Sequence, residues 1–236
     1  HLDNDDMTLA QQAVFEGEAS VAAFAYVLAP AGRDVRSLPD LVALSRAAMK
    51  MEEEKYDLFR QAPLYLREMI TFPYVYGARF VQAFLQENPW ADIVDLYSNL
   101  PSSSEQIIHP ARFFQVSDKP QSMEAETKAL RPEGYSEVIY SNVFGEFGFQ
   151  VFFDHHLGIE EASRAAVGWD GDLVELVSND KGDEAVVLAS VWDSQEDARE
   201  FAEIYRKAAD VRFDGTVAWE CAAEGVSCSW EAGTTR

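Results

Sequence analysis

Apolar residues recur at every third or fourth position through most of the first half of the chain, which predicts a series of amphipathic helices. The first predicted helix starts at the capping pair Thr8 and Gln11 and ends at Pro30. A later helical stretch begins at Pro63. Pro73 is expected to interrupt it, because proline lacks a backbone donor.

The pattern changes in the second half. Ser136 to Leu157 predicts one more amphipathic helix, and short apolar segments bounded by turn residues then predict strands. The predicted strands are Leu173–Val177, Ala185–Val191, Val217–Cys221 and Val226–Trp230. The expected fold class is therefore α+β, with a mostly helical first half followed by a small α+β unit that contains a three- or four-stranded antiparallel sheet.

A polar interval separates the two patterns. Residues 115–134 contain Pro120, Pro132 and Gly134, a composition typical of a linker. The sequence thus predicts a helical region over residues 1–114, a linker over 115–134 and a C-terminal α+β region over 135–236.

Charge excludes one class of partner. The chain has 41 acidic and 19 basic residues, and this formal charge of −22 argues against nucleic acid, whose binding requires basic side chains against phosphates. The longest apolar stretch, Ala19–Gly32, has 14 residues and is too short to cross a bilayer. We expect no membrane-spanning segment, and no signal segment opens the sequence. The oligomeric state cannot be predicted.

Two cysteines lie near the C-terminus. If Cys221 and Cys228 belong to neighbouring strands, they are within reach of a disulfide, which would indicate an oxidising compartment. The alternative is a pair of buried free thiols. Two thiols alone do not make a metal site.

Residue types alone do not define a complete catalytic site. None of the four histidines forms an HExxH motif, and the sequence has no glycine-rich phosphate loop and no GxSxG motif. Glu16 is unusual because it lies within an apolar predicted helix, where a carboxylate must be paired or bound to a metal. Both interpretations of Glu16 stay open from the pattern.

Longer motifs extend the analysis. The chain contains Glu16-Gly17-Glu18-Ala19 and the more specific string Ser103-Ser104-Glu105-Gln106-Ile107-Ile108-His109-Pro110. Through these and further segments, most of the chain resembles a family of bacterial extracytoplasmic proteins with a zincin-like, gluzincin-type metallopeptidase fold. In that family an HExxH helix precedes the Glu-Gly-x-Ala helix, and no such segment is present in this sequence.

The resemblance implies a zinc-dependent peptidase outside the cytoplasm that acts on peptide or protein substrates. Glu16 would be the third zinc ligand, beside two histidines of the upstream HExxH segment. His109 would stabilise the oxyanion, and Tyr74 or Tyr76 could do the same. Glu105 and Tyr76 are the further catalytic candidates. Zinc is therefore expected only together with the HExxH segment, and this chain alone is not expected to be active.

Each of these residues also has a purely structural interpretation. His109 can be a capping or packing residue before Pro110, and Tyr76 can be a helix-packing residue. The absent HExxH motif supports a second hypothesis for the whole chain, namely a non-catalytic extracytoplasmic binding protein that retains a degenerate zincin scaffold.

Overall fold

In the computed structural model of the chain, a helical first half is followed by a mixed second half with an antiparallel sheet, which confirms the α+β class. The structure describes residues 4–39, 41–213, 218–221 and 228–231. The helices are α1 (Asp5–Leu28), α2 (Leu41–Glu53), α3 (Asp57–Gln61), α4 (Leu64–Glu87), α5 (Asp95–Ser98), α6 (Ser104–Ile108), α7 (Glu124–Leu130), α8 (Gly145–Leu157), α9 (Ile159–Ala166) and α10 (Gln195–Arg212). The strands are β1 (Tyr135–Asn142), β2 (Trp169–Asn179), β3 (Glu184–Trp192), β4 (Ala218–Cys221) and β5 (Cys228–Glu231).

Helices α1 and α4 form the centre of the first half. They run parallel, because Asp6 lies near Tyr65 at the start of both helices and Gly17 lies against Gly77 further along. A Cβ atom on Gly77 would lie 2.0 Å from the carbonyl oxygen of Ala13, so the two backbones approach too closely for any side chain there. The glycine of the Glu-Gly-x-Ala motif thus has a packing role.

Two predicted features of these helices are wrong. Helix α1 starts earlier than Thr8, because the side chain of Asn4 accepts a hydrogen bond from the N–H of Met7 and caps the helix there. Helix α4 continues through Pro73, which is buried within it. Burial of both flanks, with Phe72 and Val75 in the core, keeps the helix intact despite the missing donor.

The second half contains a three-stranded antiparallel sheet in the order β1-β2-β3. The helix predicted over Ser136–Leu157 is wrong in its first part, since Tyr135–Asn142 forms β1 and pairs with β2. Its β-branched and aromatic residues Val138, Ile139 and Tyr140 suit an extended strand. Gly145, with φ +76°, then turns the chain into α8.

Helix α8 belongs to two hydrophobic cores. Phe147 and Val151 pack with α1 and α4 in the core of the first half. Phe149 and Phe153 pack with Trp169 and other residues of the second core. A helix that is apolar on opposite faces is buried on both sides, and α8 therefore joins the two halves.

The interval predicted as a linker contains regular structure. Residues Glu124–Leu130 form α7, which packs on β2 and β3. Just after it, Arg131 donates two hydrogen bonds to Glu175 of β2, at 2.8 and 2.7 Å.

The closing hairpin is confirmed at the level of the backbone. Strands β4 and β5 pair antiparallel, and their register places Cys221 opposite Cys228. The predicted disulfide concerns side chains outside the described part of the structure, so it stays a prediction.

One helical segment among the described residues, Asp5–Ala31, is long and apolar enough to cross a membrane. This is weak support for a membrane span, because the core helix of a soluble protein passes the same test. Leu9, Ala13 and Val14 of this segment are buried in the first core.

Candidate functional site

Four buried carboxyl groups converge where α1, α6, α8 and β2 meet. They belong to Asp6, Glu105, Glu146 and Asp172, and each residue is at most 3% exposed. Buried carboxyl groups are uncommon unless each is paired or protonated. We refer to these four residues as the carboxyl cluster.

Asp172 fixes the start of α8. Its carboxylate accepts hydrogen bonds from the N–H groups of Phe144 and Gly145 at 2.9 and 2.8 Å, and from the indole N–H of Trp169 at 2.9 Å. These donors are backbone groups that a helix start leaves without intrahelical partners. A residue of β2 therefore caps α8 from a distant part of the sequence.

Asp6 connects α1 with α6 and α8. Its Oδ2 accepts a hydrogen bond from the N–H of Ser104 at 3.0 Å. Its Oδ1 lies against Gly145, where a Cβ atom would be only 1.9 Å away. The neighbouring Asp5 exchanges hydrogen bonds with Asn142, so both residues hold the start of α1 against the end of β1 and the start of α8.

His109 forms a pair with Glu146. Its Nε2 lies 3.0 Å from Oε1 of Glu146, which also accepts a hydrogen bond from Gln150 at 2.9 Å. The glutamate side chain is fully buried, whereas the imidazole is 38% exposed. The histidine thus presents a ring to solvent while a buried carboxyl group fixes its orientation.

Glu105 lies on the other side of this pair. Its Oε1 is 3.8 Å from Nε of Arg112, a distance that allows an ion pair but not a hydrogen bond. Arg112 also binds Asp118 at 2.6 Å and Asp193, so one guanidinium is shared by three carboxyl groups. The pKa of Arg112 is raised, chiefly by its hydrogen bond with Asp193.

Burial raises the pKa of every member of the carboxyl cluster. It raises the pKa of Asp6 to about 7, of Glu105 to about 8 and of Asp172 to about 6. It also raises the pKa of Glu146, although the hydrogen bond with His109 acts in the opposite direction. The groups reinforce one another, because Glu146 and Asp172 raise the pKa of Asp6, and Glu146 raises that of Glu105.

Glu16 lies elsewhere on α1. It is half-buried and hydrogen-bonds the side chain of Tyr74 on α4, whose pKa is raised by burial and by this carboxylate. Ten residues of helix separate Glu16 from Asp6, or about 15 Å along the axis. The described contacts therefore attach Glu16 to the middle of the α1–α4 pair.

Tyr76 is part of a helix interface. Its hydroxyl lies 3.5 Å from a guanidinium nitrogen of Arg46 on α2, and its ring stacks on Phe72 with centroids 5.1 Å apart. Of the three predicted catalytic residues, the structure thus brings Glu105 and His109 together around Glu146 and gives Tyr76 packing partners.

The described residues do not complete a metal site. Among them, no three His, Cys, Asp or Glu side chains are arranged to hold a metal ion. Glu16 alone can supply at most one of the three protein ligands of a catalytic zinc ion. The chain as described therefore does not fit zinc without ligands from outside it.

The resemblance pointed to two members of this region, Glu105 and His109, and missed the importance of Asp6 and Asp172. A local signal exists for Glu146, which is the only charged residue in the apolar run Gly145–Phe153. Asp6 lies in an acidic segment at a helix start, where it looks like an ordinary first-turn acid.

Comparison with known families gives one match. Residues 136–232 match the model of a family described as a domain of unknown function, DUF8575. No curated protein and no solved structure matches the chain. The matched segment includes Glu146 and Asp172 but not Asp6, Glu105 or His109, so the carboxyl cluster extends across the boundary of the family model.

Proposed function

We propose that this chain is the C-terminal part of a zinc-dependent peptidase that acts outside the cytoplasm, with Glu16 as a zinc ligand and His109 as the group that polarises the peptide carbonyl. The observation that carries the proposal is the pairing of an accessible imidazole with the fully buried carboxyl group of Glu146. A carboxyl group in this position fixes the orientation of an imidazole, as a group that must point at a developing oxyanion requires.

Two features of Glu16 support its part in the proposal. It is half-buried on α1 rather than enclosed in the core, and Tyr74 holds it by a hydrogen bond. Carboxylate ligands of metals are commonly oriented by such hydrogen bonds. The two remaining ligands would come from the HExxH segment that the resembling family carries ahead of this helix.

The test uses the natural gene product, whose intact mass and N-terminal sequence show whether an HExxH segment precedes residue 1. In that protein we expect Glu16→Ala to remove bound zinc and peptide hydrolysis together. Glu18→Ala is the matched control, since Glu18 is half-buried on the same helix two positions further on. Zinc content unchanged in Glu16→Ala, or a natural product without the motif, would overturn the proposal.

His109→Ala separates the two roles. We expect this variant to keep its zinc, because the imidazole is placed outside the metal ligands, and to lose about 10²- to 10³-fold in kcat. Hydrolysis of a fluorogenic peptide and zinc analysis of the same sample measure both quantities. Unchanged kcat in His109→Ala would remove the histidine from the mechanism.

A second candidate function is a binding protein that keeps the scaffold without catalysis. Three exposed apolar side chains favour it, since Tyr26 is 83%, Val27 72% and Leu58 85% exposed. Apolar side chains exposed to this degree are available for contact with a binding partner. A natural product that lacks an HExxH segment, contains no zinc and does not hydrolyse peptides would support this candidate.

A further inference from the structure

The carboxyl cluster leaves several oxygen atoms without partners. In the described part of the chain, Oδ1 of Asp6, Oε1 of Glu105 and Oε2 of Glu146 are buried and have no hydrogen bond. Oδ1 of Asp6 occupies the space that a side chain on Gly145 would fill, in the contact between α1 and α8. An ionised carboxylate oxygen in such a place loses its hydration and gains nothing in return.

The surrounding positive charge is too small to balance four carboxylates. Arg112 is 3.8 Å from Glu105, but it is also engaged by Asp118 and Asp193. His109 is paired with Glu146. Asp6 is hydrogen-bonded to the backbone N–H and the side chain of Ser104, both of which are neutral.

We propose that the carboxyl cluster is a proton-binding centre, which holds the two halves of the molecule together while it is protonated and weakens their contact as it loses its protons. Each of the four groups comes from a different part of the contact: Asp6 from α1, Glu105 from α6, Glu146 from α8 and Asp172 from β2. Deprotonation would place like charges at the junction of these elements, where little water can screen them. The centre requires neither zinc nor substrate.

Charged and titratable groups of several elements face the cluster. Asp6 is faced by Tyr65 of α4, and its own neighbour Asp5 is bound to Asn142. Among the described residues, His109 and Arg112 face Glu146, and Arg112, Asp118 and Asp193 face Glu105. A small cavity lined by Asp5, Asp6, Tyr65, Val143 and other residues lies beside Asp6.

The direction of the pH effect follows from the raised pKa values. An unfolded aspartate ionises with a pKa of 3.8, whereas the pKa of Asp6 in the folded protein is about 7, so the folded state holds more protons between these values. Stability is therefore full at acidic pH and is lost as the pH rises towards 7 and, for Glu105, towards 8. For each proton that the folded state holds and the unfolded state does not, the folding equilibrium constant falls about tenfold per unit of rising pH. This holds between the pKa of the group in the unfolded state and its pKa in the folded state.

The experiment compares urea unfolding of the wild-type chain and of Asp6→Asn from pH 5.5 to 8.5, at high salt so that surface charges are screened. We expect the wild-type folding constant to fall about tenfold per pH unit relative to that of Asp6→Asn up to pH 7, and the ratio to level off above it. The control is Glu126→Gln, an exposed acid of α7, whose curve should run parallel to that of the wild type. Parallel curves for Asp6→Asn and wild type would overturn the proposal.

Infrared spectroscopy gives a second readout that does not depend on the variants folding equally well. At pH 7 the folded wild type should show the C=O stretch of a protonated carboxyl group, and this band should decrease as the pH is raised to 9. Absence of the band at pH 7 would contradict the proposal even if the Asp6→Asn variant failed to fold.

Discussion

Arg131 forms an ion pair with a buried glutamate of the sheet. Its guanidinium donates two hydrogen bonds to Glu175 of β2, and the side chain of Glu175 is only 6% exposed. A two-pronged pair of this kind is specific in geometry as well as favourable in energy. It ties the segment after α7 to the centre of the sheet.

Removal of Arg131 should therefore be costly. Arg131→Ala leaves the carboxylate of Glu175 buried without its partner, and we expect the free energy of unfolding to fall by about 2–4 kcal/mol. Urea denaturation at neutral pH measures the change. The control is Arg199→Ala, since the Arg199 side chain is 71% exposed and lies 4.0 Å from Glu196, and should change stability by less than about 0.5 kcal/mol. Equal effects of both substitutions would show that the Glu175 pair contributes no more than a surface pair.

At the scale of elements, the parallel packing of α1 on α4 depends on bare backbone contact at Gly17 and Gly77. A Cβ atom on Gly17 would lie 2.3 Å from the backbone of Gly77. A side chain there could be accommodated only if the axis of one helix moved away from the other. The contact lies beside Glu16. It therefore fixes the position along the helix axes at which the carboxylate of Glu16 meets Tyr74.

Gly77→Ala tests this contact. The added methyl group would lie 2.0 Å from the carbonyl oxygen of Ala13, and we expect a loss of about 2–4 kcal/mol despite the better helix propensity of alanine. Thermal unfolding followed by circular dichroism measures the loss. Gln86→Ala, at an exposed position of the same helix, should stay within about 0.5 kcal/mol of the wild type. A stabilised Gly77→Ala variant would mean that α1 and α4 are further apart than described.

The same elements show what the sequence could predict. The helices of the first half were predictable because their apolar residues follow the helical period, and the strands β2 and β3 because their segments alternate or are wholly apolar. The pattern gave wrong predictions at Pro73 and over β1. Burial keeps α4 helical through Pro73, and pairing with β2 makes β1 a strand. Local residue patterns do not contain that tertiary information.

The candidate site shows the same limit. Glu105 and His109 stand in one short motif, so a resemblance can identify them together. Their partners Asp6, Glu146 and Asp172 come from three other elements, brought close only by the fold. Because the cluster is built from four separate elements, the spacing of its residues along the chain does not predict it.

At the scale of the whole molecule, α8 prevents the two halves from being independent. The family match begins at residue 136 and so contains α8, whose Phe147 and Val151 are 2% and 5% exposed within the core of the first half. A fragment limited to the matched segment would turn both side chains towards solvent. The matched region is thus shorter than the part of the chain that is needed to bury its apolar side chains.

We expect a fragment of residues 134–236 to bind the dye ANS and to unfold over a broader temperature range than the whole chain. Fluorescence with ANS and calorimetry measure these properties. The same fragment with Phe147→Ser and Val151→Ser should bind less dye, because those residues form the uncovered face. A fragment that unfolds sharply and binds no dye would show that the second half folds without help from the first.

The position of α8 also has a consequence for synthesis. Translation delivers α1 to α6 first, yet the core of these helices is completed by side chains of a helix that follows β1. The nascent chain must therefore hold an unfinished apolar surface while more than 30 further residues leave the ribosome. Such intermediates are prone to aggregation, and folding of this protein during synthesis should benefit from chaperones that bind exposed helical segments.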